Sequence, residues 1–322
     1  MVTVGLLPES ELTARLRGPG LALRAGPFQF GIRSPHRLVS LGISQMYRDM
    51  PVADPSRIID FELEIARGVG LRRWLRPQAC FNFDGQRVFE PLPAGHAYPL
   101  LEWAMNWCIS AHAHQYLILH AAVLERGGGV LLMPAPPGSG KSTLCAALVH
   151  SGWRLLSDEL ALVSLSDGMV WPLCRPVGLK NRSIDVLRAF APNAVFSRLT
   201  YGTAKGTVAH MQVPRSHVAR MDEPAPPRWV VFPKYQPGSS THLGTRPRAG
   251  TVVELARNAF NIGVLAETGF HALAGLVEQS SCFDFCYSDL SDAVQTFDAM
   301  AGAARTAVMP ASAGAAPLAV LA

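Results

Sequence analysis

Apolar and polar positions between residues 129 and 159 alternate in blocks. An apolar run at residues 130–133 leads into a loop rich in glycine and proline, and Lys-Ser-Thr follows at residues 141–143. Apolar residues then recur at helical spacing until Gly152. A buried strand, a glycine-containing loop and the start of a helix predict a phosphate-binding loop between strand and helix.

The same patterning predicts elements along the whole chain. In the first half these are a meander over 21–39, a partly helical segment over 58–75, a hairpin over 81–88, a helix over 99–116 and a strand over 117–125. In the second half they are strands over 153–156, 160–165, 229–234 and 282–287, loops over 195–217, and helices over 252–260, 263–279 and 290–300.

These elements predict an α/β fold with two parts. An N-terminal α+β region of residues 1–115 precedes a phosphate-loop domain of residues 116–302. From residue 303 the chain is rich in alanine and contains two prolines, so we expect a disordered tail over 303–322. A chain of 322 residues that is 49% hydrophobic can bury a large core.

Composition narrows the class of protein. No apolar run approaches the ~20 residues that span a bilayer, and the N-terminus lacks a signal-peptide layout, so we expect a cytoplasmic location and no membrane partner. Six cysteines are too sparse for a disulfide framework. The net charge is +5, but the basic residues are scattered along the chain. Their densest group surrounds Trp74 and is explained by a solvated helix face, so no nucleic-acid partner is expected. A homo-oligomer stays open.

The loop at residues 135–143 has the chemistry of nucleotide binding. Backbone N–H groups that enter a helix N-terminus form a concave site of positive partial charge for phosphate oxygens. Lys141 would lie against the β- and γ-phosphates of ATP, and the Ser142 hydroxyl suits Mg²⁺. The expected nucleotide contacts are Ala135, Pro136, Pro137, Gly138, Ser139, Gly140, Lys141, Ser142 and Thr143.

Ala135 stands where the phosphate-loop motif has its first glycine. If this position required a positive φ, an alanine would be strained there. Pro136 and Pro137 restrict the turn that follows and give the backbone a different route through it.

Two acidic residues follow the predicted helix closely. Asp158 comes only 17 positions after Lys141, so we expect strand 153–156 to return beside the loop-bearing strand and to bring Asp158 near the γ-phosphate. Asp158 would hold Mg²⁺, directly or through water, or accept the proton of an attacking hydroxyl; a turn or capping residue is the alternative. Glu159 is a further metal-ligand candidate, although an extended backbone would turn it the other way.

Four other polar residues are candidates for contacts with an anion. Lys205 and His210 lie in a glycine-flanked segment suited to a mobile loop near phosphate, and Lys180 and Arg182 could clamp an anion. Each is explained equally well as a solvated surface residue.

The segment L-H-A-A-V-L-E-R-G-G-G-V-L-L-M-P-A-P-P-G-S-G-K-S-T-L, followed by G-W-R-L-L-S-D-E, resembles the HPr kinase/phosphorylase core. That core is itself similar to the nucleotide site of phosphoenolpyruvate carboxykinases. The matching positions are His120, Gly138, Gly140, Lys141, Ser142 and Asp158. More narrowly, the chain over roughly residues 15–300 resembles the group called HprK-related kinase A, through R-P-V-G-L-K-N-R-S-I-D-V, K-G-T-V-A-H, V-V-F-P-K-Y and N-A-F-N.

This resemblance implies a Mg-ATP-dependent phosphotransferase, an HPr kinase-like serine kinase, in which Asp158 is the base and His120 lies beside the attacking group. Ala121, Ala135 and Glu159 depart from the family pattern, so the acceptor stays open among a protein, a peptide and a small molecule. One alternative is a switch that binds ATP, orders residues 195–217 and recruits a partner without phosphotransfer. A carboxykinase-type enzyme is disfavoured, because its second metal and acid-binding residues cannot be located.

Overall fold

The structure is a computed structural model that describes residues 2–53, 58–136 and 138–308. Its helices are α1 (Glu9–Arg17), α2 (Arg37–Met46), α3 (Arg72–Leu75), α4 (Ala97–His112), α5 (Lys141–His150), α6 (Arg182–Phe190), α7 (Arg215–Val218), α8 (Arg248–Arg257), α9 (Ile262–Glu278) and α10 (Leu290–Val308). Short 3-10 helices cover Val4–Leu6 and Ala94–His96.

The strands of the described part of the chain form three sheets. They are β1 (Leu21–Ala25), β2 (Phe28–Arg33), β3 (Phe61–Arg67), β4 (Gln78–Phe83), β5 (Gln86–Arg87), β6 (Leu92–Pro93), β7 (Tyr116–Arg126), β8 (Gly129–Pro134), β9 (Arg154–Ser157), β10 (Leu160–Ser164), β11 (Val170–Trp171), β12 (Val177–Lys180), β13 (Thr200–Thr203), β14 (Gly206–Met211), β15 (Pro227–Tyr235), β16 (His242–Thr245) and β17 (Ser281–Tyr287). The fold is therefore mixed α/β.

The first sheet belongs to the N-terminal region and has the order β1-β2-β3-β4-β5, with β6 on β4. The meander predicted over 21–39 is confirmed only as far as residue 33: β1 and β2 form a hairpin that turns at Gly26, and α2 begins at Arg37. The hairpin predicted at Asp84-Gly85 is also confirmed, since β4 pairs antiparallel with β5 and both turn residues have a positive φ. α4 packs against β3 and β4, and many of its residues are buried.

The partly helical segment predicted over 58–75 is wrong for most of its length. β3 occupies its middle, and burial alternates along it, with Phe61, Leu63 and Ile65 buried on one face. The period of the apolar residues is thus two, although the residues between them are good helix formers. Only the four residues of α3 are helical.

The central sheet carries the predicted loop and has the order β11-β10-β7-β8-β15-β17-β16, with β9 also paired to β7. β8, β15 and β17 run parallel, so their carboxyl ends meet at one edge of the sheet. Both faces are covered: on β7, Ile118 and Leu124 join a buried cluster with α5, whereas Leu119 and Val123 join one with α8 and α9. Double burial explains the nearly continuous apolar run of β7.

The predicted position of the strand after α5 is wrong. β9 pairs antiparallel with β7 and does not lie beside β8. β7 and β15 already occupy the two edges of β8, so no edge is left for β9. Asp158 therefore reaches the loop from beyond β7, one strand further out than predicted.

The segment predicted as loops over 195–217 contains regular structure. β13 and β14 form a hairpin, and β14 pairs with β12 to complete a third sheet. β14 begins with Gly206 and Thr207 and has His210 between Ala209 and Met211, so its few apolar residues do not show a clear strand pattern. β16 was likewise not predicted; it pairs antiparallel with β17.

The C-terminal helix α10 continues to Val308, past the predicted end at residue 300, so residues 303–308 of the predicted tail are helical. Residues 309–322 lie outside the described residues. Within the described ranges, no helix combines the length and apolarity needed to cross a membrane.

Candidate active site

The loop between β8 and α5 follows a route that suits its unusual sequence. Ala135 is buried, and its φ is not among the positive values found in the described residues. An alanine is therefore unstrained at this position, and the expected conflict does not arise. The positive φ values fall instead on Gly138 and Gly140, at +90° and +87°. Pro137 lies outside the described residues.

Two tyrosines hold the end of the loop. The Tyr287 hydroxyl donates a hydrogen bond to the Gly140 carbonyl oxygen at 3.2 Å, and the Tyr235 N–H donates to the Ser139 carbonyl oxygen at 2.9 Å. Tyr235 and Tyr287 end the parallel strands β15 and β17 in register. A Cβ atom on Gly140 would collide with the Tyr287 hydroxyl and lie 2.9 Å from the Tyr235 Cβ.

Replacing Gly140 with Ala is expected to weaken ATP binding by about 100-fold or more, because backbone strain of roughly 1–2 kcal/mol adds to the collision with both tyrosines. Gly138→Ala is the matched control: its φ is equally positive, but a Cβ there meets open space. We expect the strain alone to weaken binding by about 30-fold at most. Calorimetry with a non-hydrolysable ATP analogue measures both, and equal losses in the two variants would contradict the role of the tyrosines.

Strand register brings the predicted site residues together. Ala121 of β7 lies opposite Pro134 at the end of β8, and His120 lies opposite Leu160 at the start of β10. His120 is therefore next to both the beginning of the loop and the turn that carries Asp158 and Glu159. Three segments far apart in sequence thus meet around the start of α5.

His120 is in contact with both Lys141 and Glu159. Its Nε2 atom lies 3.0 Å from the Lys141 Nζ and 3.3 Å from the Glu159 Oε2. The backbone N–H of His120 donates to the Asn258 carbonyl oxygen at 2.8 Å, which fixes the strand locally. One ring nitrogen cannot accept a hydrogen bond from an ammonium group and donate one to a carboxylate at the same time. His120 therefore has two alternative hydrogen bonds, whose balance depends on where Lys141 points.

Asp158 and Glu159 line the same pocket, and the chain bends at these two residues instead of staying extended. Asp158 is 3% exposed, and its Oδ2 accepts a hydrogen bond from the Gly178 N–H at 3.2 Å. Its Oδ1 is buried without a hydrogen-bond partner among the described residues. The opposite orientation of Glu159 was expected only for an extended backbone, and this condition is not met.

The two carboxyl groups have opposite proton affinities. Burial and the neighbouring Glu159 raise the pKa of Asp158 to about 6, against the lowering effect of Lys141, the Ser142 hydroxyl and the Gly178 N–H. Partial burial alone would raise the pKa of Glu159, but the His120 hydrogen bond and the charge of Lys141 lower it to about 2. At neutral pH Glu159 is a fixed anion, and Asp158 is a carboxylate that readily takes a proton.

The candidate anion-binding residues divide into two groups. Lys180, Lys205 and His210 line a pocket that includes Asp158 and Glu159. Arg182 is exposed at the start of α6 and is not among the residues lining that pocket. The predicted mobile loop is instead the β13–β14 hairpin.

Several residues of the site escaped the sequence analysis. Tyr235 and Tyr287 could have been found by placing the carboxyl ends of parallel strands at one sheet edge. Gly178 and α4, which contributes Trp103 to the pocket, carry no local signal, because they reach Asp158 only through tertiary packing.

The donor set fits Mg²⁺ better than a transition metal. Within the described residues no three His, Cys, Asp or Glu side chains are grouped as a metal centre. Mg²⁺ needs fewer protein ligands, since it keeps several waters and binds through one or two carboxylates together with phosphate oxygens. The ionised Glu159 and the Ser142 hydroxyl are oxygen donors of that kind.

Comparison with known proteins gives limited similarity. The solved structure of the HPr(Ser) kinase/phosphatase from Coxiella burnetii is similar to the chain with 10% sequence identity and a TM-score of 0.29, covering 59% of this chain and 97% of that one. No protein-family model and no curated protein matches the chain. The function must therefore be inferred from the geometry of the site.

Proposed function

We propose that this protein is an ATP-dependent phosphotransferase of the HPr kinase type, which binds Mg-ATP at residues 135–143 and transfers the γ-phosphate to a hydroxyl group. The proposal rests on one observation. Lys141, His120 and the acidic pair Asp158 and Glu159 converge at the start of α5, directly after the glycine-containing loop. A cation with backbone N–H groups on one side and a proton acceptor on the other is what phosphoryl transfer requires.

Lys141 and the loop N–H groups would bind the β- and γ-phosphates and offset the charge that develops on them. Mg²⁺, when bound, adds charge neutralisation at the same phosphate oxygens. Ser142 and Glu159 would hold that ion, and Asp158 could contact it through water. When Lys141 turns to phosphate, the Nε2 of His120 becomes free to bond Glu159 and so to orient it.

Asp158 would act as the general base. Its Oδ1 is the unpartnered buried atom, and its pKa of about 6 lets it accept a proton from a hydroxyl at neutral pH. The acceptor oxygen forms a bond to the γ-phosphorus, and the bond from that phosphorus to the β,γ-bridging oxygen breaks. ADP leaves with that electron pair, and the hydroxyl proton goes to Asp158.

The alternative is an ATP-dependent switch that transfers no phosphate. A switch needs the loop and Lys141, but it has no use for a buried carboxylate beside them whose Oδ1 lacks a hydrogen-bond partner among the described residues. Such a group costs stability, so its presence favours a chemical role.

Replacing Lys141 with Ala tests the nucleotide site. We expect phosphoryl transfer from γ-labelled ATP to fall roughly 10²- to 10³-fold, because one preorganised charge is lost, and ATP binding to weaken. Arg33→Met, in the N-terminal sheet, removes one surface charge and serves as the control. ATP binding in the Lys141→Ala variant equal to that of the unchanged protein would overturn the proposed nucleotide site.

A further inference from the structure

A pocket beside Asp158 shares the acidic pair Asp158 and Glu159 with the nucleotide site proposed above, but none of its described phosphate-binding residues. Its walls come from α4, the Asp158–Glu159 turn, β12 and the β13–β14 hairpin. None of the described residues of the loop 135–143 lines it. The pocket therefore meets the site at its proton acceptor and lies apart from the phosphate-binding residues.

The floor of this pocket is buried and polar. His210 is 4% exposed, and its Nδ1, like the Asp158 Oδ1, has no hydrogen-bond partner within the described ranges. Burial lowers the pKa of His210, so its ring is neutral and can donate or accept a hydrogen bond. Buried polar groups without partners are rare in native structures and are suited to a bound polar molecule.

Two lysines stand nearer the surface of the pocket. Lys180 is half-buried and Lys205 is exposed, with its Nζ 5.4 Å from the centre of the Trp103 ring. Neither forms an ion pair with any described residue, whereas the buried Arg175 of the same pocket is paired with Glu102 at 2.7 Å. With Arg175 offset by Glu102, the other charged residues that line the pocket are these two lysines and the acidic pair Asp158 and Glu159. The lysines are therefore the cationic groups left to contact an anion.

Asn181 fixes both lysines through the backbone. It directly follows Lys180, its Nδ2 donates to the Lys205 carbonyl oxygen at 3.2 Å, and its Oδ1 accepts from the Thr207 N–H at 3.0 Å. Its own φ of +53° with ψ of −131° is unfavourable for a residue with a side chain. Strain of this kind persists where the surrounding structure holds it, and it is concentrated at functional sites.

We propose that this pocket binds the phosphate acceptor, and that the acceptor is a small hydroxyl compound carrying an anionic group, carboxylate or phosphate. This inference rests on the proposed phosphotransfer. Lys180 and Lys205 bind the anionic group, and the hydroxyl reaches Asp158 on the floor. A serine hydroxyl of a protein lies only two bonds from its Cα, so a protein acceptor would have to bring its backbone into the space walled by Trp103.

Gly178 gives the pocket its open space. It lies opposite His210 in the β12–β14 pair, and a Cβ there would come no closer than 3.9 Å, to the Glu159 Oε1. Gly178→Val should therefore fold, because valine suits a strand, and fill the pocket with its methyl groups. We expect transfer to fall at least 10-fold while ATP binding is kept. If Gly178→Val is unstable, the variants Lys180→Met and Lys205→Met test the proposal instead.

The experiment uses an extract of the cell that makes the protein, split by ultrafiltration into proteins and small molecules. The small molecules are split again on an anion exchanger into anionic and neutral compounds. Each fraction is incubated with the full chain, Mg²⁺ and γ-labelled ATP. Glycerate and glycerol 3-phosphate serve as defined anionic probes, and glycerol as their neutral counterpart.

We expect label to enter the anionic small molecules, and transfer there to fall at least ~10-fold in Lys180→Met and Lys205→Met, because each removes a charged hydrogen-bond donor. Arg33→Met should change nothing. Label found only in proteins, or only in neutral compounds, overturns this inference and leaves the kinase intact. No transfer to any fraction, with ATP bound, overturns the proposed phosphotransfer and this inference with it.

Discussion

Replacing Asp158 with Asn is expected to reduce phosphoryl transfer by roughly 10²- to 10⁴-fold, the range for loss of a general base. Asparagine has the same shape and can still accept a hydrogen bond from the Gly178 N–H, but it cannot take a proton. ATP binding should stay within a few-fold of its original value, since Lys141 and the loop are unchanged. Label transfer and calorimetry on the same preparation separate the two effects.

The pH dependence of transfer provides a second measurement. With a pKa of about 6, Asp158 loses its proton as the pH rises through 6, so transfer should rise over that interval and then level off. Asp158→Asn should remove this rise together with the activity. A variant that transfers phosphate at an unchanged rate, or that loses ATP binding in parallel, would contradict the role of Asp158 as base.

The same substitution should make folding more favourable at neutral pH. Because the folded-state pKa of Asp158 is raised, its contribution to stability is present below about pH 4 and lost as the pH rises through about 6. Burying this charge costs at most about 3 kcal/mol by the linkage relation. Thermal melts of Asp158→Asn should show a higher melting temperature at pH 7 and no difference near pH 4. The contribution of Glu159 to stability changes over a lower pH range, since the pKa of Glu159 is lowered to about 2.

The sequence predicted the loop far better than its surroundings, for a physical reason. Strand, loop and helix are adjacent in the chain, and their apolar periodicity and glycines are local signals. The prediction for β3 is wrong because residues that favour helices alternate there with the buried apolar residues. Burial of one face in the folded protein makes this segment a strand. β9 was misplaced because the choice between β7 and β8 as its neighbour depends on which sheet edge is free, and no local pattern records that.

The candidate site divides in the same way. Lys141 and Asp158 are recognisable by their short spacing, and His120 by its strand before the loop. Gly178 and Tyr287 reach the site from 20 and 147 positions away from the residues they contact, through strands whose pairing the sequence does not specify. Trp103 and Glu102 come from the N-terminal region, which was predicted as a separate part.

Arg175→Met is expected to destabilise the protein by about 3–5 kcal/mol, because it leaves the buried carboxylate of Glu102 without its cation. Arg175 donates to the Glu102 Oε2 at 2.7 Å, and both side chains are at most 7% exposed. The Tyr47 hydroxyl also donates to Glu102, at 2.9 Å, but carries no charge. In a chain of 322 residues, this loss of stability should lower the melting temperature by roughly 4–8 °C.

The double variant Glu102→Gln/Arg175→Met should recover most of this loss, since the amide is neutral and still accepts the bond from Tyr47. A double variant as unstable as Arg175→Met would show that packing, and not the uncompensated charge, sets the cost. Arg154→Met supplies a comparison: Arg154 pairs with the buried Glu125 at 2.8 Å in the central part of the chain, and Glu125 keeps a second cation, Arg220, at 3.5 Å. It should therefore cost less stability than Arg175→Met and should not affect α4.

Hydrogen exchange in α4 distinguishes the two buried pairs. Glu102 lies on α4, whereas Arg175 lies between β11 and β12, so their ion pair joins the N-terminal region to the part of the chain that carries Asp158. Arg175→Met should therefore speed exchange in α4 more than Arg154→Met does. Because α4 also provides the Trp103 wall of the pocket, the same loosening should weaken transfer to the acceptor. Equal exchange in α4 for the two variants would mean that the N-terminal region is held by its apolar packing alone.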